Sequence, residues 1–203
     1  YGNAAVILTG DFSLARAVLL AAEEGGHTAV TALAQAVTAM AEGEVRQLQR
    51  AGNLDTTLPQ YLEMIDKKSA ALIAWCASAG AFAAGDDEAA AALACFGRGV
   101  GVAFQITDDV LDYGGPTGKP PGQDLREKKL TLPLLFAMER VSGLRARLET
   151  DPVDVLLDVV RRSGALEAAL DEARRRVDEA VGALDALPPS QHRDALVVLG
   201  RYL

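Results

Sequence analysis

Apolar side chains recur at α-helical spacing along almost the entire chain, and this periodicity is the strongest constraint on its fold. One run covers residues 3–24 and stops at a glycine pair, which is a helix-ending signal. The next run covers residues 28–50, and a third extends from about residue 58 to residue 79 behind a Thr57–Gln60 capping box. Alanine and leucine dominate these runs, which favours helix over strand.

The second half of the chain shows the same periodicity between turn signals. Asp86 is placed to cap a helix over residues 87–111, and Asp151 to cap another that begins with Pro152. A loop of residues 114–122, rich in glycine and proline, separates these helices. Further helical runs cover residues 130–141, residues 165–187 and a short terminal segment. We therefore predict an all-α helical bundle that forms a single domain over residues 1–203.

Charge and composition narrow the possible functions. The formal net charge of −8 argues against broad nucleic-acid binding. We find no signal peptide and no apolar run that looks long enough to span a bilayer. We therefore expect a cytoplasmic protein without stable membrane insertion.

An acidic cluster at the end of the 87–111 helix is the first sign of chemistry. Asp108 and Asp112 are one helical turn apart, and Gln105 shares their face, whereas Asp109 lies about 100° around the axis. Like charges at this spacing repel and weaken a bare helix. A bound hard cation would neutralise the carboxylates, and oxygen ligands suit Mg²⁺. The alternative is a solvated acidic helix end.

Basic residues follow the acidic cluster at once. The glycine-rich loop contains Lys119, and the segment after it contains Lys128 and Lys129. Carboxylates, a loop with a lysine and a basic segment together are what a metal–diphosphate site needs. For Lys128 and Lys129, a solvated helix start is the alternative interpretation.

Several segments, taken together and in this order, resemble the trans-isoprenyl (polyprenyl) diphosphate synthase family. Residues 105–112 resemble the second aspartate-rich motif of that family, and residues 118–133 resemble the loop and helix start that follow it. Residues 68–72 look like its Lys-Thr-Ala segment, with Ser69 in place of threonine. Similar stretches are found at residues 2–17 and at Glu42-Gly43-Glu44 with Gln47-Leu48.

The resemblance implies a role for each matching residue. Asp108 would bind Mg²⁺ directly, while Asp109 and Asp112 would hold its waters or add charge. The residues expected at the allylic diphosphate are Lys68, Ser69, Gln105, Lys119 and Lys129. Of the set, Lys68, Asp108 and Lys119 would be catalytic. The implied reaction condenses isopentenyl diphosphate with an allylic diphosphate to a linear trans-polyprenyl diphosphate, in a homodimeric enzyme with the isoprenoid-synthase fold.

The chain also departs from the family pattern. Family members carry roughly a hundred further residues ahead of this start, including a first aspartate motif, so we expect an N-terminally incomplete chain. Lys128 stands where the family usually has glycine. Two alternative functions stay open: a class I terpene synthase with a similar metal site, and a truncated, non-catalytic partner subunit of a prenyltransferase.

Overall fold

The computed structural model describes residues 2–114 and 120–202. Within these residues the protein consists of ten α-helices and no strand, which confirms the all-α prediction. The helices are α1 Asn3–Arg50, α2 Leu58–Ile65, α3 Ala71–Ala84, α4 Asp87–Leu111, α5 Gln123–Arg126, α6 Leu132–Arg140, α7 Leu144–Thr150, α8 Val153–Arg162, α9 Ala165–Ala183 and α10 Gln191–Arg201.

Helix α4 is the central element of the bundle. It packs against α3 and α9, and α3 in turn packs against α1. Ile106 near the C-terminal end of α4 is fully buried in the largest core cluster, together with Tyr61 of α2 and Leu132 of α6. The acidic cluster predicted from the sequence therefore lies at the end of a buried helix, next to the hydrophobic core.

The two helices predicted before residue 50 are joined in α1, with a kink where the glycine pair stands. Gly26 has φ 63° and ψ −156°, a conformation that glycine adopts without steric cost. The half of α1 before the kink is exposed along nearly its whole length. Its exposed apolar side chains are Val6, Ile7, Leu8, Phe12, Leu14, Val18, Leu19 and Leu20.

We expected no apolar run long enough to span a bilayer, and by the criteria of length and composition this expectation is wrong. Two helices in the described part of the chain, α1 and α4, are both long enough and apolar enough. Half of the relevant stretch of α4 is buried inside the bundle, as in the core helix of a soluble protein. The corresponding stretch of α1 is 6% buried, because its apolar side chains face outward.

A π-helical turn, Asp66–Ala70, interrupts the single helix predicted for residues 58–79. Glycines of two neighbouring helices let the backbones on both sides approach this turn closely. A Cβ atom on Gly43 of α1 would lie 2.6 Å from the Lys68 backbone nitrogen, and one on Gly101 of α4 would lie 2.6 Å from the Ala70 Cα. The turn is therefore held between α1 and α4 at contact distance, and single-turn π insertions are frequent at functional sites.

Most of the predicted helix starts are confirmed. The Gln60 side chain accepts the Thr57 backbone N–H at 3.0 Å, and Asp86 caps α4 by accepting the Ala89 N–H at 2.9 Å. The predicted cap at Asp151 is wrong. Asp151 takes an ion pair with Arg147 of α7 at 2.8 Å, since the preceding helix α7, which the sequence analysis did not predict, places that arginine beside it.

Candidate functional site

A cavity of about 210 Å³ opens where α1, α2, the π-helical turn and α4 meet the segment of residues 124–131. Most of the residues proposed from the sequence line it, although they come from distant parts of the chain. The lining includes Lys68, Gln105, Asp108, Asp109 and Lys129. Ser69 hydrogen-bonds to this set, whereas Asp112 lies apart from the lining. Lys119 lies outside the described residues.

Asp108 is the exposed carboxylate of the acidic cluster. Its contact with another side chain is a long one, 3.4 Å from its Oδ2 to the Gln105 Nε2. Because Asp108 is exposed and lines the cavity, its carboxylate oxygens are accessible to a ligand there. This carboxylate is the one in the cluster that can take a metal ion without breaking a short hydrogen bond.

Asp109, in contrast, is buried, with 6% of its surface exposed. The Tyr61 hydroxyl donates to its Oδ2 at 2.6 Å, and the Gln105 Nε2 donates to its Oδ1 at 2.9 Å. Burial raises the pKa of Asp109 to about 7, although both of these hydrogen bonds act to lower it. Since both oxygens have protein donors, Asp109 is placed to support the site rather than to hold a metal ion directly.

Lys68 also lines the cavity and belongs to the π-helical turn. Its Nζ is 2.7 Å from a Glu44 carboxylate oxygen and donates to the Gln47 Oε1 at 2.9 Å. Both partners belong to α1, which crosses the turn at Gly43. The close approach of α1 therefore fixes the position of this cation.

Asp112 is turned towards the following loop, not towards the cavity. Its Oδ1 accepts the backbone N–H of Gln123 and its Oδ2 that of Asp124, both at 3.0 Å. Its backbone carbonyl also accepts the Gly122 N–H at 2.7 Å. We call this set of three hydrogen bonds the Asp112 clamp, and it ties the end of α4 to the start of α5. The backbone of Asp112 still follows Asp108 by one helical turn, as expected from the sequence, since its N–H bonds to the Asp108 carbonyl at 3.2 Å.

Lys129 brings a second cation to the cavity. It forms an ion pair with Glu127 and lies 3.5 Å from Asp124. Burial, together with the nearby charge of Asp112, raises the pKa of Asp124 to about 6. The cavity therefore has both acidic and basic groups in its lining, which is what a site for a metal-bound polyanion needs.

Residues 1–154 match the family described as polyprenyl synthetase. The chain belongs to this family. It is 37% identical to the octaprenyl diphosphate synthase of Haemophilus influenzae, over 98% of this chain and 64% of that protein. It is 36% identical to heptaprenyl diphosphate synthase component 2 of Geobacillus stearothermophilus, over 100% of this chain and 67% of that protein. This polyprenyl synthetase chain thus spans about two thirds of the length of these relatives.

Solved structures agree with the family assignment. The polyprenyl synthase of Caulobacter crescentus CB15, complexed with calcium and isoprenyl diphosphate, matches with a TM-score of 0.90 and 40% identity over 99% of this chain and 66% of its own. A decaprenyl diphosphate synthase from Rhodobacter capsulatus matches with a TM-score of 0.86 and 34% identity, over 98% and 66%. These matches confirm the isoprenoid-synthase type of fold and leave the terpene synthase alternative without support.

Tyr61, the buried partner of Asp109 in this polyprenyl synthetase, was not identified as a site residue from the sequence. Its position in an amphipathic helix indicates a core residue, and it is indeed fully buried. Its hydroxyl contact joins residues 48 positions apart in the chain. Periodicity within one helix carries no signal for such a contact.

The buried position of Asp109 predicts how its replacement by asparagine changes stability with pH. Because the folded-state pKa of about 7 is above the ordinary value of 3.8, ionisation costs stability as the pH rises through this window. Asparagine cannot ionise, so the melting temperature of Asp109→Asn minus that of the wild type should be greater at pH 8 than at pH 5. Thermal melts without metal measure this, and an equal difference at both pH values would contradict the assignment.

Lys128 adopts a left-handed conformation, with φ 54°, at the position where the family usually has glycine. This conformation costs a residue with a Cβ roughly 1–2 kcal/mol, while glycine loses roughly 0.4–1 kcal/mol through unfolded-state entropy. Lys128→Gly should therefore raise the free energy of unfolding by about 0.5–1 kcal/mol. Urea titration measures the change. Lys128→Ala is the control and should show no such gain, since alanine keeps the strain.

Proposed function

We propose that the full-length protein is a Mg²⁺-dependent trans-prenyltransferase that condenses isopentenyl diphosphate with an allylic diphosphate. The single observation that carries this proposal is that Lys68, Lys129 and Asp108 line one cavity. Two cations and an exposed carboxylate in one cavity suit a metal-bound diphosphate, since the lysines and the metal ion would share its negative charge. The relatives named above are synthases of long prenyl diphosphates, which supports a product of that class.

The residues present fit a magnesium ion held in part by the substrate. Among the described residues, no three acidic, histidine or cysteine side chains converge as a ligand set. Asp108 would therefore supply one oxygen ligand, and waters and phosphate oxygens would supply others, as Mg²⁺ prefers. When bound, the ion would neutralise negative charge on the departing diphosphate. Asp109 would contribute charge from its buried position, without direct contact.

The chain's own residues account for the rest of the proposed reaction. Lys68 and Lys129 would stabilise the diphosphate as the allylic C–O bond breaks. The double bond of isopentenyl diphosphate then forms the new C–C bond, and a proton leaves the adjacent carbon. Met64 and Ile65 also line the cavity, so apolar surface lies next to the charged groups and keeps water from the allylic cation. A contribution from Lys119 stays a prediction.

We also propose that the protein is a cytoplasmic homodimer. The support is the exposed apolar surface of α1 before the kink, since contiguous apolar surface of this kind usually marks an interaction site. Analytical ultracentrifugation of the full-length protein tests this part of the proposal. Replacement of Phe12, which is 67% exposed, by glutamate should then shift a dimer towards monomer.

The proposed activity is tested by incubating the full-length protein with labelled isopentenyl diphosphate and allylic diphosphates of several lengths, with Mg²⁺ or with a chelator. We expect linear products that elongate only when Mg²⁺ is present, and sizing them gives the chain length. Absence of product under all conditions would contradict the proposal and favour the partner-subunit alternative. Cyclic products from an allylic diphosphate alone would also contradict it.

A further inference from the structure

Four side chains form a continuous hydrogen-bonded relay beneath the candidate site. The Tyr61 hydroxyl donates to Asp109 at 2.6 Å, and Asp109 accepts the Gln105 amide at 2.9 Å. The Gln105 Oε1 in turn accepts the Ser69 hydroxyl at 2.6 Å. We call Tyr61, Asp109, Gln105 and Ser69 the Tyr61 relay. It joins the fully buried core to a half-buried residue next to Lys68.

The chemistry of the relay determines the direction of each hydrogen bond. The Gln105 Nε2 lies between two carboxylates, 2.9 Å from Asp109 and 3.4 Å from Asp108. A flipped amide would place its oxygen against both carboxylates, so the nitrogen must face them. The Oε1 therefore faces Ser69, and the Ser69 hydroxyl must donate its proton to it. The lone pairs of the Ser69 hydroxyl oxygen are then free to accept hydrogen bonds from other groups.

The relay also ties the π-helical turn to the rest of the bundle. Tyr61 belongs to α2 and Ser69 to the turn that follows it, so both ends of the relay are in one continuous segment. Asp109 and Gln105 are one turn apart on α4 and bridge these two ends. Tyr61 therefore helps to hold the Lys68–Ser69 segment at a fixed position relative to the acidic end of α4.

We infer that Tyr61 is a positioning residue of the site: its buried hydroxyl fixes the Asp109 carboxylate, which orients Gln105 and through it the Ser69 hydroxyl. The inference rests on the proposed function, because the site that Tyr61 organises is the proposed diphosphate site. Tyr61 borders the cavity, but its side chain has no exposed surface and its hydroxyl is bonded to Asp109, so it acts through that carboxylate. Nothing in the family resemblance assigned it a role.

Replacement of Tyr61 by phenylalanine in the full-length protein tests the inference. The change removes one hydrogen bond to a charged group, so we expect kcat to fall about tenfold or more, with the KM for isopentenyl diphosphate unchanged. Tyr113→Phe is the matched control. Tyr113 is equally buried, but its hydroxyl lies beside Thr131 and makes no hydrogen bond to a member of the relay, so its removal should leave kcat unchanged. Wild-type kcat in Tyr61→Phe would overturn the inference.

A double-mutant cycle separates positioning from simple loss of stability. Tyr61 and Ser69 are at opposite ends of the relay, so Tyr61→Phe should cost little further kcat once Ser69→Ala has broken the other end. Strictly additive losses would overturn the inference. If Tyr61→Phe does not fold, Gln105→Met breaks the same relay from the half-exposed face of α4, and wild-type kcat in that variant would overturn the inference as well.

The proposed activity and the proposed role of Tyr61 can be contradicted independently of each other. A full-length wild-type protein that makes no product contradicts the proposed function but does not decide the role of Tyr61. Calorimetric titration with magnesium pyrophosphate then decides it. Tyr61→Phe should weaken that binding at least about threefold while Tyr113→Phe leaves it unchanged, since one hydrogen bond to a charged group is lost. Equal binding by wild type and Tyr61→Phe, or no binding by either, overturns the inference.

Discussion

Replacement of Asp108 by alanine in the full-length protein is expected to lower kcat by about a hundredfold to a thousandfold, the range seen when one main electrostatic contribution to the transition state is removed. Asp108 is the carboxylate of the cluster that is exposed at the cavity and lacks a short hydrogen bond to a side chain. Its loss should therefore remove a ligand of the proposed magnesium ion and change folding very little. Steady-state kinetics and thermal melts measure the two effects.

The matched control is Asp87→Ala, at the opposite end of the same helix. Asp87 is exposed in the first turn of α4, where a carboxylate contributes about 0.3–1 kcal/mol through the helix dipole. We expect a small loss of stability in this variant and unchanged kcat. Unchanged kcat in Asp108→Ala would remove Asp108 from the metal-binding role. A large drop in its melting temperature would show that the carboxylate is structural.

Replacement of Gly43 by alanine is expected to damage both stability and activity. The new Cβ would lie 2.6 Å from the Lys68 backbone nitrogen and 2.8 Å from its Cα, so α1 or the π-helical turn must move. Overpacking of this kind costs about 1–3 kcal/mol. A shift of even about 1 Å in a catalytic group can cost about a hundredfold in rate. We therefore expect kcat/KM for the allylic diphosphate to fall by about that factor.

Gly80→Ala is the control for this change. Gly80 is exposed in α3, and a Cβ there would meet no atom within 4 Å. Alanine at an open helical position should stabilise the protein by about 0.5–1 kcal/mol and leave kcat/KM unchanged. Denaturant titration and steady-state kinetics of both variants separate the clash from a general glycine effect. A Gly43→Ala protein with wild-type stability and kinetics would show that α1 does not constrain Lys68.

The fold class and most helix boundaries were predictable because they depend on local chemistry. The helix over residues 87–111 ends and begins where periodicity and the Asp86 cap indicate. The π-helical turn was not predictable in the same way. Residues 66–70 continue a helical pattern, and the turn is accommodated by close backbone approach at Gly43 and Gly101, which are far away in sequence.

In the candidate site, too, some features were predictable from the sequence and others were not. Lys68, Asp108 and Lys129, proposed from motif resemblance, line one cavity in the structure, although their roles stay predictions. Asp112 follows Asp108 by one helical turn, as expected, but a helical wheel cannot show that its carboxylate accepts the backbone N–H groups of Gln123 and Asp124. The contact of Tyr61 with Asp109 depends on how α2 packs against α4, which one sequence does not reveal.

The Asp112 clamp makes this part of the protein attractive for engineering. Asp112 accepts the backbone N–H groups of Gly122, Gln123 and Asp124, so hydrogen bonds as well as the peptide chain join α4 to α5. Doubling the length of a flexible connection costs only about 0.6 kcal/mol in chain entropy. An epitope or a genetically encoded fluorophore inserted there should consequently leave the bundle folded, whatever it does to turnover.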